Sequence, residues 1–259
     1  MNPLISVIII THNRGCYIKE AIESVLSQTF NDWELIIIDD ASADNTREIA
    51  ESYVLKDERI KYFKNNERLH ISKSRNKGLN LASGKYIAIL DSDDIWCDKD
   101  KLKKQIIFLE EHMEYALVGG GVAVIVETGA ETRRYLNPCT DNEIRKQILI
   151  KNPFAHSSVM YVKDFIKEIG GYDENLNGIE DYDLWLRIGT RWKFFNLSDH
   201  VLKYRVHGGN ISVLERLRLM KSNLVLVNRY KNNYSNFYFA LLRRVFRLAL
   251  FQVFNFIKK

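Results

Sequence analysis

An apolar run from Tyr86 to Leu90 ends on four polar residues, Asp91, Ser92, Asp93 and Asp94. A strand buried on both faces reads as a continuous apolar run, and ligands of open α/β sheets collect just beyond the carboxyl ends of such strands. Carboxylates crowded there repel one another and resist desolvation until a cation or hydrogen-bond donors compensate them. The pattern therefore points to a hard divalent cation, Mg²⁺ or Mn²⁺. A helix N-cap is the alternative, since residues 98–112 have a helical pattern and Asp is favoured at a cap; one Asp satisfies that role and three exceed it. A second acidic pair, Asp39-Asp40, also follows an apolar run. Ser42 and Asp44 are available to cap the helix after it, so ligand binding is the expected use of the pair. A third pair, Glu180-Asp181, opens a helical pattern, where it serves either a ligand or the helix dipole.

These groups need a scaffold that gathers strand ends. Ile5 to Ile10 reads as a buried strand, and Ile18, Ile22, Val25 and Leu26 mark one face of a helix. Leu35 to Ile38 is a second strand, followed by a helix through Ile49 and Tyr53; Ile60 to Phe63 is a third strand, followed by a helix from Ser72 to Ala82. Alternation of this kind predicts a parallel sheet with right-handed crossovers, which place the two acidic strand ends on one edge. Beyond it, Leu102, Ile106 and Leu109 form a helical stripe. Residues 115–126 read as a strand in which Gly119, Gly120 and Gly121 imply a bulge or a close backbone approach. Residues 128–142 are polar and expected to form a mobile loop, residues 157–162 a strand, and a short helix is expected to end at Gly170-Gly171.

The chain has 259 residues, 46% of them hydrophobic, enough for one large α/β domain or two modest ones. Cys16, Cys97 and Cys139 are scattered and odd in number, which argues for a reducing compartment, and the amino terminus lacks a basic segment before its apolar stretch; a cytoplasmic location is expected. The net charge of +5 is uneven, because residues 216–259 carry ten basic side chains and no acidic one, leaving 28 basic against 33 acidic before them. Residues 236–257 are rich in Phe and Leu, with Arg243, Arg244, Arg247, Asn255 and Lys258 near one side of a helical wheel. Internal arginines oppose a spanning helix. An interfacial helix making peripheral membrane contact through residues 235–259 is the expectation, and packing on the catalytic domain or on a second subunit, as in a homodimer, is the alternative. Nucleic acid is not an expected partner, because the aromatic residues are crowded among aliphatic ones instead of lining a stacking groove.

Taken in order, the motifs resemble those of glycosyltransferase family 2, the nucleotide-sugar-dependent enzymes of the GT-A fold. Ser6 to Arg14 looks like the family's opening strand and turn, with Ile10 and His12 where proline and tyrosine are commoner. Ile38 to Thr46 resembles its second acidic turn, with Ala41 in place of the usual glycine. The segment Ser74-Arg75-Asn76-Lys77-Gly78 precedes Leu90 to Asp94, which looks like the metal-binding DxD motif. Glu180-Asp181, followed by Asp183-Leu184-Trp185-Leu186-Arg187, resembles the segment that supplies the catalytic base, and the matches run from Ser6 to Ser212.

The resemblance implies a Rossmann-like α/β architecture with a mostly parallel central sheet flanked by helices. Residues 1–98 would form the nucleotide-sugar-binding half, 99–212 the acceptor-binding and catalytic-base half, and 213–259 a C-terminal helical extension. It implies a UDP-sugar donor (Glc, Gal, GlcNAc or GalNAc) and a Mn²⁺ or Mg²⁺ ion on Asp93 and Asp91, with His207 either a further ligand or a loop hydrogen-bonding residue. Asp40 would read the uracil, with Asp39 assisting; Thr11, Asn13, Arg14 and Ser92 would line the nucleotide pocket, and Arg75 would bind the diphosphate. Asp181 would be the general base and Glu180 would orient the acceptor hydroxyl, giving inversion. Processive members carry a Gln-x-x-Arg-Trp motif and spanning helices, neither present here. Transfer of one sugar to a glycan or lipid-linked acceptor, in bacterial surface polysaccharide synthesis, is what the resemblance implies.

Two other classes share the acidic pattern. A haloacid-dehalogenase-like phosphohydrolase places its DxD on the first strand, with Asp91 then the nucleophile, whereas two βα units precede it here and Ile95 stands where threonine or valine is expected. A non-catalytic sugar-nucleotide-binding module would lack the base, and Asp181 is present.

Overall fold

The computed structural model describes residues 2–210 and 214–257. Ser212, Lys258 and Lys259, and the side chain of Asn255, lie outside what is described. Strands β1 (Ile5–Thr11), β2 (Trp33–Asp39), β3 (Ile60–Lys64) and β4 (Tyr86–Asp91) alternate with helices α1 (Ile18–Leu26), α2 (Thr46–Val54) and α3 (His70–Leu81). They pair in parallel in the order β3-β2-β1-β4, as the alternation predicts. All seven residues of β2 are buried, which is why this stretch shows no polar alternation.

The chain continues through β5 (Ile95–Trp96), α4 (Lys101–Glu111), β6 (Tyr115–Val126), β7 (Glu131–Tyr135), α5 (Asp141–Gln147), a 3-10 turn at His156–Ser158, β8 (Met160–Val162), α6 (Lys163–Glu168), α7 (Glu180–Ile188) and β9 (Lys193–Val206). The sheet extends from β4 through β8, β6 and β9 to β5, with β7 on β6. β8 runs antiparallel to both β4 and β6, and β6 runs parallel to β9, so six of the nine strands among the described residues point one way. One apolar layer packs α1, α2 and α4 on one face of the sheet; the other packs α3, α5, α6 and α7 on the opposite face. Helix α3 lies close on β1, where a Cβ on Gly78 would meet Ile8 Cγ2 at 2.8 Å.

The polar stretch 128–142 is not a mobile loop. It completes the β6–β7 hairpin and starts α5, whose first turn is closed by a capping box between Thr140 and Glu143. The exposed edge strand β7 buries no residue fully, so nothing in its sequence needs to alternate. The triple glycine does mark an irregularity: the β6–β9 register shifts on either side of Gly121, and a Cβ on Gly119 would meet Asn196 Oδ1 at 2.2 Å.

Glu34 fastens the end of the sheet opposite the acidic strand ends. Its Oε1 accepts from Ser6 Oγ on β1 at 2.6 Å and from Ser83 N before β4 at 2.8 Å, and its Oε2 from Lys61 Nζ on β3 at 2.7 Å. Burial alone would raise its pKa, but these donors outweigh it and bring it down to about 2.

The tail forms a hairpin of α8 (Arg216–Arg229) and α9 (Phe237–Ile257) packed against α7. Tyr230 donates to Asp183 Oδ1 (3.0 Å), Tyr234 to the Leu186 carbonyl (2.7 Å), and Arg244 to Tyr182 Oη (3.0 Å) and the Leu149 carbonyl. One side of the extension thus packs on the body of the fold. Among the described residues no helix is long and apolar enough to cross a membrane.

Candidate active site

The carboxyl ends of β1, β2 and β4 open into a cleft of about 860 Å³. Parallel register sets Asp91 beside Ile10 and Asp39 beside Thr11, so one residue step along β1 separates the acidic ends of β2 and β4. Thr11, Asn13, Arg14, Asp40, Arg75, Asp91, Ser92, Asp93, Glu180 and Asp181 all line this cleft. Asp39 and His207, the other two residues expected from sequence, do not.

At the β2 end, Ala41 and Asn13 adopt left-handed φ of 61° and 52° and shape two interlocked turns. Asn13 donates its N–H to Ser42 Oγ (2.9 Å) and accepts from Ala43 N on Oδ1 (2.8 Å). Asp39 is fully buried and accepts from Ser42 N (2.7 Å) and Tyr62 Oη, which makes it a brace for the turn. Asp40 does reach the cleft. Burial would raise its pKa, but Asn65 Nδ2, Ser74 Oγ and the N–H groups of Leu69 and His70 hold it low, so it is an acceptor-only carboxylate. Among the described residues its Oδ2 carries only the His70 bond. Among the described residues Thr11 Oγ1 is buried with no partner, an orphan polar atom in a cleft-lining residue.

At the β4 end the acidic residues divide the work. Asp94 is buried and accepts from Ser157 Oγ and Arg205 N; burial, then Asp93 and Asp91, push its pKa far up. It is a fastener between the DxD turn and β9. Arg205 is buried too, and its Nε donates to the Asp93 carbonyl at 3.0 Å. Asp93 faces the cleft with Arg14 Nε at 3.4 Å and His207 Nε2 at 2.9 Å from its Oδ2. Gly209 N–H donates to His207 Nδ1 (3.1 Å), which leaves Nε2 to carry the ring hydrogen toward Asp93.

Arg75, buried beneath the cleft, spans its two walls. It donates to Asp91 Oδ1 at 3.0 Å and to Glu180 Oε1. Burial would lower its pKa, but the two carboxylates more than restore it, and Arg75 together with His156 holds Asp91 well below the usual carboxylate range against burial. This commitment to two carboxylates differs from the diphosphate contact implied by the motif. On α7, Glu180 also accepts from Gly178 N. Asp181 Oδ2 accepts from Asn152 Nδ2 at 2.9 Å, while Asn152 Oδ1 accepts from Phe154 N at 3.1 Å and so fixes which way the amide points. Burial first, then the Glu180 charge, raise the Asp181 pKa. That is the direction a general base requires.

His156, Asn152, Tyr172 and Arg205 escaped the sequence reading. His156 lines the cleft with Nε2 2.9 Å from Tyr172 Oη and Nδ1 3.4 Å from Asp91 Oδ1. The available signal was a polar cluster just before a short apolar run, Asn152 to Ser158 ahead of β8.

Among the described residues no three His, Cys, Asp or Glu side chains converge to enclose a metal. A closed structural zinc site does not fit such a donor set. A hard cation that retains waters and takes substrate phosphate oxygens does fit, on Asp93 with Asp91 beside it, while His207 spends both ring nitrogens on Gly209 and Asp93 and orients the carboxylate.

The fold is that of the GT-A glycosyltransferases. Residues 6–170 match the model for Glycosyl transferase family 2, and the chain belongs to that family. It is 36% identical over 212 residues to the O-antigen biosynthesis glycosyltransferase WbnJ of Escherichia coli, covering 79% of this chain and 80% of that one. Among solved structures, S. aureus TarS in complex with UDP-GlcNAc aligns with a TM-score of 0.71 at 22% identity, over 95% of this chain and 73% of that chain. The mannosyltransferase PcManGT from Pyrobaculum calidifontis, in complex with GDP-Man and Mn²⁺, aligns with a TM-score of 0.69 at 17% identity, over 96% and 70%. At these identities the two structures share the fold.

Proposed function

We propose that the protein is an inverting glycosyltransferase that moves one sugar from a UDP-sugar to a glycan or lipid-linked acceptor during surface polysaccharide synthesis. The observation that carries this reading is Asp181 in its setting: a carboxylate of raised proton affinity, one oxygen held by Asn152, in the same cleft as Asp40 and the DxD turn. Thr11 and Asp40 bind the nucleoside, and Asp40 accepts from the uracil imide. Asp181 takes the proton of the acceptor hydroxyl as its oxygen bonds to the anomeric carbon. The bond from that carbon to the diphosphate breaks on the opposite side, its electron pair leaving with UDP, so an α-linked donor gives a β-glycoside. Asp93, oriented by His207 and with Asp91 beside it, would hold Mn²⁺ or Mg²⁺, whose charge stabilises the departing diphosphate. Arg75 acts from beneath, keeping Asp91 ionised and both Asp91 and Glu180 in place.

The identity to WbnJ supports the surface-polysaccharide setting. The hydrolase alternative is disfavoured because that class carries its DxD on the first strand, whereas Asp91 ends the fourth. The protein works in the cytoplasm, where nucleotide sugars are made, with α9 meeting the inner face of the membrane. The test is release of UDP from a panel of UDP-sugars with Mn²⁺, with and without glycan acceptors. Asp181→Asn should abolish acceptor-dependent release and keep UDP binding. Loss of both would make Asp181 structural and overturn the assignment.

A further inference from the structure

Helix α9 has two faces of opposite use. Phe237, Ala240, Leu241 and Arg244 turn toward the body, Ala240 being fully buried. At about 100° per residue, Phe239, Leu242, Val245, Phe246, Leu250 and Val253 fall on the opposite side. Each of these six is at least 41% exposed, and Leu242 reaches 69%. An apolar stripe of this length on a surface helix needs an occupant.

The charges beside it say which. Arg243 and Arg247 border the stripe on one side and are exposed, and no acidic residue occurs from Arg216 to the end of the chain. A second copy docked on the stripe would add its own arginines to these. An anionic surface would instead pair with them while taking the Phe and Leu side chains into its apolar layer. We propose that α9 binds the surface of an anionic lipid bilayer through this stripe, lying parallel to the plane with Arg243 and Arg247 at the headgroups.

The placement deepens the transferase reading, and its link to the acceptor rests on that reading. Arg244, on the inner side of the same helix, bonds to Tyr182, the neighbour of Asp181. The docking helix therefore stands directly behind the helix that bears the base, and a lipid-anchored acceptor would be presented to that wall.

The full-length protein should cosediment with phosphatidylcholine vesicles containing phosphatidylglycerol and bind vesicles of phosphatidylcholine alone at least tenfold more weakly. Phe239→Glu combined with Phe246→Glu, and Arg243→Gln combined with Arg247→Gln, should each weaken the interaction at least tenfold while UDP binding and the thermal midpoint stay unchanged. Absence of vesicle binding overturns the proposal. So does a solution dimer that the Phe pair converts to monomer, since a second copy would then cover the stripe. Transfer to a short soluble acceptor, assayed in parallel, separates the two readings: vesicle binding without transfer by any donor refutes the transferase function and leaves the lipid surface standing.

Discussion

Asp181 and Asn152 form the pair on which the chemistry turns. A base works only when unprotonated, and burial with the Glu180 charge raises the Asp181 pKa. The acidic limb of kcat/KM should therefore inflect above the ordinary carboxylate value of about 4, and activity should rise with pH through that limb. Asn152 donates to the ionised carboxylate and favours that form. Asn152→Ala should move the limb to higher pH and lower kcat by about tenfold, the size of one charge-assisted hydrogen bond, with the donor KM nearly unchanged. A pH profile of the variant decides it; an unmoved limb would show that Asn152 does not hold the base. Asp181 was legible in the sequence and Asn152 was not, for a topological reason. The acidic residues follow apolar runs whose strands run toward the cleft. β8 runs the other way, so the residues before it, Asn152 to Ser158, reach the same edge without following a strand. Asp39 and Asp40 look equivalent in the sequence, whereas the turn sends one into a brace and the other to the cleft.

The turn after β2 shows what an element demands of its residues. Ala41 holds φ at 61°, a conformation costly for a residue with a Cβ and free for glycine. This is the position where the family resemblance expects glycine. Ala41→Gly should stabilise the protein by up to about 1 kcal/mol, less whatever the freer unfolded chain gives back, without changing UDP affinity; urea unfolding measures it. The βα units were legible because strands buried on both faces and amphipathic helices leave opposite periodicities. β7 left none, being exposed along its length, and β9 little, since buried and partly exposed residues mix along it. The tail was legible as amphipathic, but its sequence could not say which face meets protein. Packing of Tyr230, Tyr234 and Arg244 on α7 answers that for the inner face.

At the scale of the whole molecule, one acid far from the cleft contributes to the acid limit of stability. Glu34 links β1, β2, β3 and the turn before β4, and its pKa falls from 4.5 unfolded to about 2 folded. A lowered folded pKa means that the native state binds fewer protons. The contribution is complete above the unfolded value and is lost as pH falls through the folded one; a shift of this size corresponds to about 3 kcal/mol. Glu34→Gln should lower stability at neutral pH by a similar amount and flatten the decline between roughly pH 5 and 2, as followed by denaturant titrations across pH. The division at residue 98 expected from sequence crosses a continuous sheet, because β4 pairs directly with β8. Arg75 reinforces that continuity from Asp91 at the end of β4 to Glu180 at the start of α7. A guanidinium gripped at both ends is a strut, and spreading the walls like a hinge would uncover a buried ion pair at a cost of several kcal/mol. Donor capture then needs no slow clamshell motion: stopped-flow mixing with UDP should show one concentration-dependent phase, and a slow second isomerisation would mean that the strut gives way during turnover.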